Sequence, residues 1–199
     1  MKTIIHWNIN GYYTHYEQFQ ILINNFSPDI ICLQETNFEK IHQSTLKHFN
    51  IFVRNRVNEN HASGGVVIVI SDKYDSTEIP LNSNSEAVAI SISFPKRTHI
   101  CNIYIPNSFA LELQDLEDLI AQLPAPLILS GDFNSHHTLW GSTKTDRRGK
   151  TIENLLNNQD LILLSTGSLT YFSTRNGISN ATFNLIQSTD SSTPKMGYF

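Results

Sequence analysis

Short apolar runs alternate along the chain with stretches in which apolar residues recur every three or four positions, the rhythm of strands interleaved with helices. The run from Ile4 to Ile9 predicts a first strand. Tyr16, Phe19, Leu22, Ile23 and Phe26 then follow at helical spacing, and Ser27-Pro28 stops the helix they predict. A second strand is expected over Ile30 to Gln34. Further runs rich in Val and Ile predict strands at Ile51 to Arg54, Val66 to Ile70, Ala87 to Phe94 and Ile100 to Ile105, with a turn at Gly64-Gly65. Leu113, Leu116, Leu119, Ile120 and Leu123 mark a helix that Pro124 and Pro126 end, Leu127 to Leu129 begins a buried strand running into Gly131, and a further helix is expected at about Thr151 to Asn158.

Past Ser165 the pattern decays. Thr170 to Ser173 and Ala181 to Ile186 have strand character, whereas Ser188 to Phe199 is rich in Ser and Thr and has no period. We therefore expect one domain over residues 1–186 and an irregular tail over 187–199. Because strands are sometimes adjacent and sometimes separated by helices, the pattern predicts an α/β (α+β) domain of layered sheets flanked by helices, not an open parallel sheet.

Composition narrows the picture. Hydrophobic residues make up 40% and charged residues 16% of the 199 residues, enough apolar material for a core and too little charge for a disordered chain. A net charge of -4 argues against gripping nucleic acid by bulk electrostatics. The small basic groups at Arg54 and Arg56 and at Arg147, Arg148 and Lys150 carry little weight alone. Cys32 and Cys101 lie in apolar runs and read as buried thiols. No signal peptide or membrane-length apolar segment is visible, so an intracellular chain, nuclear or cytoplasmic, is expected.

Polar side chains stand directly after apolar strands at four places: Asn8 and Asn10, Glu35, Tyr104 to Asn107, and Asp132 with Asn134. Each alone reads as a turn former or solvated strand end. Together, two carboxylates and several amides form an all-oxygen set of the kind Mg²⁺ prefers, with Mn²⁺ as a substitute. Such groups suit phosphodiester hydrolysis: Asp132 orients or deprotonates a water, and Asn134 and Tyr104 hold phosphate oxygens. The pair His136 and His137 lacks further ligands at zinc spacing.

The strings Trp-Asn-Ile-Asn-Gly from Trp7, Leu-Gln-Glu-Thr from Leu33, Asn-Ile-Tyr-Ile-Pro-Asn from Asn102 and Gly-Asp-Phe-Asn from Gly131 resemble, in order, those of the endonuclease/exonuclease/phosphatase superfamily. The run from Ser135 to Ser142 (SHHTLWGS), followed by Asp146, Arg148-Gly149 and Ile152-Glu153, resembles the endonuclease domains of jockey-type insect non-LTR retrotransposons. The resemblance covers residues 4 to 186 and implies a β-sandwich flanked by helices. It also implies Glu35 as principal metal ligand with Asn10 nearby, Asp132 as water activator, Tyr104 and Asn134 on the scissile phosphate, and Asn8 in the catalytic network. Asn107, His136 and Arg148 would then meet substrate. DNA is the implied partner, joined by the reverse transcriptase domain of a parent element. Trp140 reads as a packing anchor.

Two departures qualify this. An Ile-Asp-Leu-like family core appears here as Phe183-Asn184-Leu185, and Asn184 cannot carry the charge that steadies a catalytic histidine. The Ser-Asp-His motif that ends family members is not found, so the expectation is a domain lacking its last strand or strands, with impaired catalysis. The leading reading is a Mg²⁺-dependent DNA endonuclease that nicks one strand to prime reverse transcription. A phosphatase of the same superfamily and a non-catalytic nucleic-acid-binding remnant are the alternatives.

Overall fold

A computed structural model describes residues 3–39, 45–56, 63–93, 96–159 and 161–164, and the backbone of 171–172, 179–180 and 185–187. In chain order the elements are β1 (Ile4–Asn8), α1 (Tyr16–Phe26), β2 (Ile30–Gln34), β3 (Phe49–Arg54), β4 (Val66–Ser71), β5 (Ser76–Ile79), β6 (Glu86–Ser93) and β7 (Arg97–Tyr104). They continue with α2 (Leu113–Ile120), β8 (Leu127–Asp132), a 3₁₀ turn (Thr138–Trp140), α3 (Arg147–Asn158), β9 (Ile162–Leu163), β10 (Tyr171–Phe172), β11 (Ser179–Asn180) and β12 (Leu185–Gln187).

Two sheets carry the fold. The first has the order β1-β2-β4-β3 and the second β5-β6-β7-β8-β12-β9. Within them β1 and β2 run parallel, as do β7 and β8, so all four strands of interest end at parallel carboxyl mouths. Strand β12 pairs antiparallel with Leu127 to Leu129 of β8. Strands β10 and β11 pair with each other in a separate two-stranded sheet.

Side-chain alternation sorts each strand between two environments. Ile4, Ile30, Cys32, Val66, Ile68 and Ile70 of the first sheet meet Val88, Ile90, Ile92, Ile100 and Ile128 of the second between the sheets. Their neighbours in sequence point outward: Ile5, Ile31, Leu33, Val67 and Val69 pack beneath Phe19 of α1. Cys101, Ile103, Leu127 and Leu129 pack beneath Leu116 and Leu119 of α2 and Ile152 and Leu155 of α3. The result is helix, sheet, sheet, helix. Strands buried on both faces explain why β2, β4 and β8 read as unbroken apolar runs.

Local signals account for most boundaries. Helix α1 ends where Ser27 turns left-handed at φ 43. Glu112 and Asp115 form a capping box at the start of α2. Helix α3 begins at Arg147, four residues before the apolar period becomes visible, because Asp146 caps it by accepting from the Gly149 N–H. Strand β5 escaped the pattern because it is a short, partly exposed edge of polar sequence, and β9 and β11 are two residues each. Of the expected strand at Thr170 to Ser173 the described part is β10, and of that at Ala181 to Ile186 it is the start of β12. Residues 181–184, and the tail from 188 on, lie outside the described residues.

Candidate active site at the carboxyl mouth of the two sheets

Between the sheets, successive residues on the inward face form three layers. Ile4, Ile30, Ile100 and Ile128 make an apolar layer, and Asn8, Tyr104 and Asp132 lie four residues further along β1, β7 and β8. The layer between them is polar: His6, Gln34, Asn102 and Ser130. Asn102 Nδ2 donates across the gap to the Leu33 carbonyl at 2.8 Å and the Val67 carbonyl at 2.9 Å, while its Oδ1 accepts from Gln34. His6 Nδ1 lies 3.0 Å from Ser130 Oγ. Burial pushes the imidazole pKa down to about 4, so the ring is neutral near neutral pH.

The mouth layer joins both sheets through one amide. Asn8 Nδ2 donates to Glu35 Oε1 at 2.8 Å and to Asp132 Oδ2 at 2.8 Å. Its Oδ1 accepts from the Asn10 N–H at 3.2 Å, which leaves the nitrogen facing the carboxylates. Asp132 uses its other oxygen, Oδ1, to accept from the Asn134 N–H at 2.9 Å. Asn134 Nδ2 in turn donates to the Ile105 carbonyl at 3.1 Å. Both oxygens of Asp132 are therefore held, one from each sheet's loop.

Tyr104 is paired with Asp132 in the parallel ladder. Burial, then a hydrogen bond with Glu35 and the charges of Glu35 and Asp132, push the phenol pKa upward, so it remains a proton donor. Arg56, held by Glu86 at 2.6 Å, places its guanidinium 5.8 Å from the Tyr104 ring centre and opposes that rise. In the sequence Arg56 carries no weight beyond that of a small basic group. Its signal was indirect, since Glu86 directly faces Tyr104 across β6 and β7.

Backbone conformation is unusual at the same place. Asn10, Glu35 and Asn134 have φ of 46, 51 and 47, the left-handed region that costs a non-glycine residue about 1–2 kcal/mol. The Glu35 turn persists because the loops after β1 and β2 bond to one another: Ile9 N–H to Gln34, Gly11 N–H to Glu35 and Tyr12 N–H to Thr36.

The remaining sequence candidates are placed differently. Asn107 is exposed on the turn after β7. The half-buried His136 is fixed through its backbone, its N–H donating to Asp146 Oδ2 and its carbonyl accepting from the Asp146 N–H. Arg148 points its guanidinium at main-chain carbonyls. Asn184 lies outside the described residues. Trp140 is fully buried and donates to the Ser135 carbonyl at 3.2 Å, the packing anchor expected of it. Cys32 and Cys101 are buried free thiols.

An all-oxygen cation site fits these residues. The ion pairs among the described residues engage neither Glu35 nor Asp132, so two carboxylates face one mouth without a cationic side chain of their own. Among the described residues no group of three or more His, Cys, Asp or Glu converges, so any further donors are amide oxygens or water. No helix among them is long and apolar enough to cross a membrane.

Comparison with known proteins agrees with this architecture. A family model described as "Endonuclease-reverse transcriptase" matches residues 98–196. The probable RNA-directed DNA polymerase from transposon X-element of Drosophila melanogaster is 25% identical over 172 residues, 85% of this chain and 19% of the relative. The RNA-directed DNA polymerase from mobile element jockey of the same fly is 24% identical over 170 residues, 84% and 18% respectively. The chain thus spans about a fifth of the length of the curated relatives it matches. Among solved structures, the endonuclease domain of TRAS1, a telomere-specific non-LTR retrotransposon, superposes with a TM-score of 0.74 at 18% identity, covering 92% of this chain and 84% of that one. The chain is thus similar over most of its length to RNA-directed DNA polymerases of insect mobile elements, and it shares the fold of the TRAS1 endonuclease domain.

Proposed function

We propose that this domain hydrolyses DNA phosphodiester bonds, nicking one strand with the help of Mg²⁺, for which Mn²⁺ can substitute. The observation that carries the reading is the single amide of Asn8 holding Glu35 and Asp132 together at the mouth of the two sheets. Bound by Glu35 and an oxygen of Asn10, the cation would offset negative charge building on the phosphate and the leaving oxygen.

The chain's own residues do the rest. Asp132, fixed through both oxygens, accepts a proton from the attacking water as the water oxygen bonds to phosphorus and the bond from phosphorus to the leaving oxygen breaks. The protonated Tyr104, turning its one O–H from Glu35 to the substrate, donates to a non-bridging phosphate oxygen, where negative charge grows in the transition state. Asn134 has one Nδ2 hydrogen committed to Ile105 and offers the other to the same phosphate. Asn107 and His136 extend this surface toward flanking nucleotides. The relatives are RNA-directed DNA polymerases of mobile elements, which favours a nick used to prime reverse transcription, with the reverse transcriptase domain of a parent element as partner. Asn184, where the family resemblance calls for a carboxylate, slows the reaction.

The test is nicking of supercoiled plasmid by the purified chain with Mg²⁺, beside a Glu35→Ala/Asp132→Ala double variant and a chelator control. We expect slow conversion to open circles that both controls abolish. A folded protein that leaves the plasmid intact, or nicks it equally well after the double substitution, refutes the proposal.

A further inference from the structure

Arg148 occupies a poor position for a helix. It is the second residue of α3, whose first turn contains Arg147 and Arg148 and no acidic residue, although cations are disfavoured at a helix N-terminus. The charge is used elsewhere. Nη1 lies 3.2 Å from the Ile105 carbonyl, 2.9 Å from that of Phe133 and 3.4 Å from that of Asn134. Nη2 donates to the Pro106 carbonyl at 2.7 Å and the Phe109 carbonyl at 2.5 Å. Three of these five acceptors belong to the turn after β7 and two to the turn after β8. Those turns carry Asn107 and Asn134 and directly follow Tyr104 and Asp132.

Irregular turns leave carbonyls without ladder partners, and a planar five-donor group satisfies several at once in a fixed geometry. The Ile105 carbonyl also takes the Asn134 side chain, so the guanidinium and the Asn134 amide share one acceptor. Burial pulls the pKa of Arg148 down while the charges of Asp146, Asp132 and Tyr104 oppose that, which places the guanidinium within electrostatic reach of the mouth.

We propose that Arg148 is a positioning residue: it clamps the turn after β7 to the turn after β8 from behind, fixing Tyr104 against Asp132 and Asn134, and makes no contact with substrate. A phosphate oxygen reaching its Nη atoms would have to displace carbonyls already bound. The assignment of a catalytic consequence rests on the hydrolytic reading above; the clamp itself does not.

The experiment compares Arg148→Ala and Arg148→Lys with the unaltered chain in three measurements: nicking kinetics, the salt dependence of DNA binding, and hydrogen exchange of residues 105–109 and 133–135. A misplacement of about 1 Å costs on the order of a hundredfold in rate. Arg148→Ala should therefore lose about a hundredfold in kcat with KM within about threefold, and Arg148→Lys, which retains charge but not the fork, should recover only part. The salt slope should not change, and exchange should quicken in both turns together. Phe19→Leu, a core substitution under the opposite sheet, serves as a stability-matched control that keeps kcat. If Arg148→Ala does not fold, Arg148→Lys alone decides, by a reduced kcat with unchanged salt slope. The proposal is overturned if KM rises at constant kcat and the salt slope falls by about one phosphate contact, or if kinetics and exchange match the unaltered chain. Should the unaltered chain not nick at all, the hydrolytic reading fails, while quickened exchange in the variants still upholds the clamp and unchanged exchange still refutes it.

Discussion

Replacing Gly149 by alanine sets two expectations against each other. Gly149 is the third residue of α3, where Gly→Ala ordinarily favours a helix by about 1 kcal/mol. Here a Cβ would lie 2.0 Å from the His136 carbonyl oxygen, 2.8 Å from its carbon and 3.1 Å from His137 Cβ. Ordinary contact is roughly 3.5 Å, and the nearest atoms are backbone, so no side-chain rotation relieves the overlap. Relief requires moving His136 away from Asp146, the residue that both caps α3 and exchanges two hydrogen bonds with the His136 backbone. Overpacking typically costs about 1–3 kcal/mol, and the weakened cap and lost bonds add about 1 kcal/mol each. After the propensity gain, Gly149→Ala should destabilise the fold by roughly 2–4 kcal/mol. Urea denaturation followed by circular dichroism measures this directly, and Tm should fall by roughly 5–15 °C. A variant as stable as the original, or more so, would show that helix propensity governs the position and that the loop is free to yield.

Two further outcomes follow from the polar layer. The His6 pKa falls from 6.5 to about 4 on folding, so the unfolded chain binds the extra proton between those values. The contribution is therefore complete above pH 6.5 and is lost as pH drops toward 4, amounting to at most about 3 kcal/mol. The stability difference between the unaltered chain and His6→Gln, measured by urea titration from pH 7 to 4, should change over that window, and a pH-independent difference would refute the assignment. Asn102→Leu preserves approximate shape but deprives Gln34 of its acceptor and leaves two carbonyls without their inter-sheet donor; we expect a loss of about 2–4 kcal/mol, and a loss below about 1 kcal/mol by the same titration would contradict it.

Elements are legible in the sequence where periodicity and burial coincide. The run Ile30-Ile31-Cys32-Leu33 bounds β2 because both faces are buried, and α1 is bounded because its apolar stripe ends at Phe26 before Ser27. Structure made by polar residues is not legible in this way. The first turn of α3 has no apolar side chain to start a period, and the significance of Asp146 depends on the Gly149 amide it meets. In the candidate site, the types of Glu35, Asp132, Asn8, Asn134 and Tyr104 suggest metal and phosphate chemistry, yet sequence order says nothing of Asn8 linking residues 27 and 124 positions away. Arg148 illustrates the opposite difficulty: guanidinium beside a candidate site suggests phosphate, and only the five carbonyls around it suggest otherwise. His6, Gln34, Asn102 and Ser130 were each visible as polar interruptions of apolar strands, two residues before a mouth residue on β1, β7 and β8, but their mutual contacts arise from the facing of two sheets.

The Asn102 bridge has a mechanical consequence. Two sheets held by aliphatic contacts alone are aligned only by the shape of their packing, because dispersion contacts are non-directional. A site assembled half from each sheet would be sheared apart by one sheet sliding over the other. Hydrogen bonds from one strand to carbonyls of the facing sheet have no equivalent partner one step away, so they act as a dowel against shear. Ile, Val and Leu around the dowel can therefore be exchanged for one another while the two halves of the mouth stay aligned.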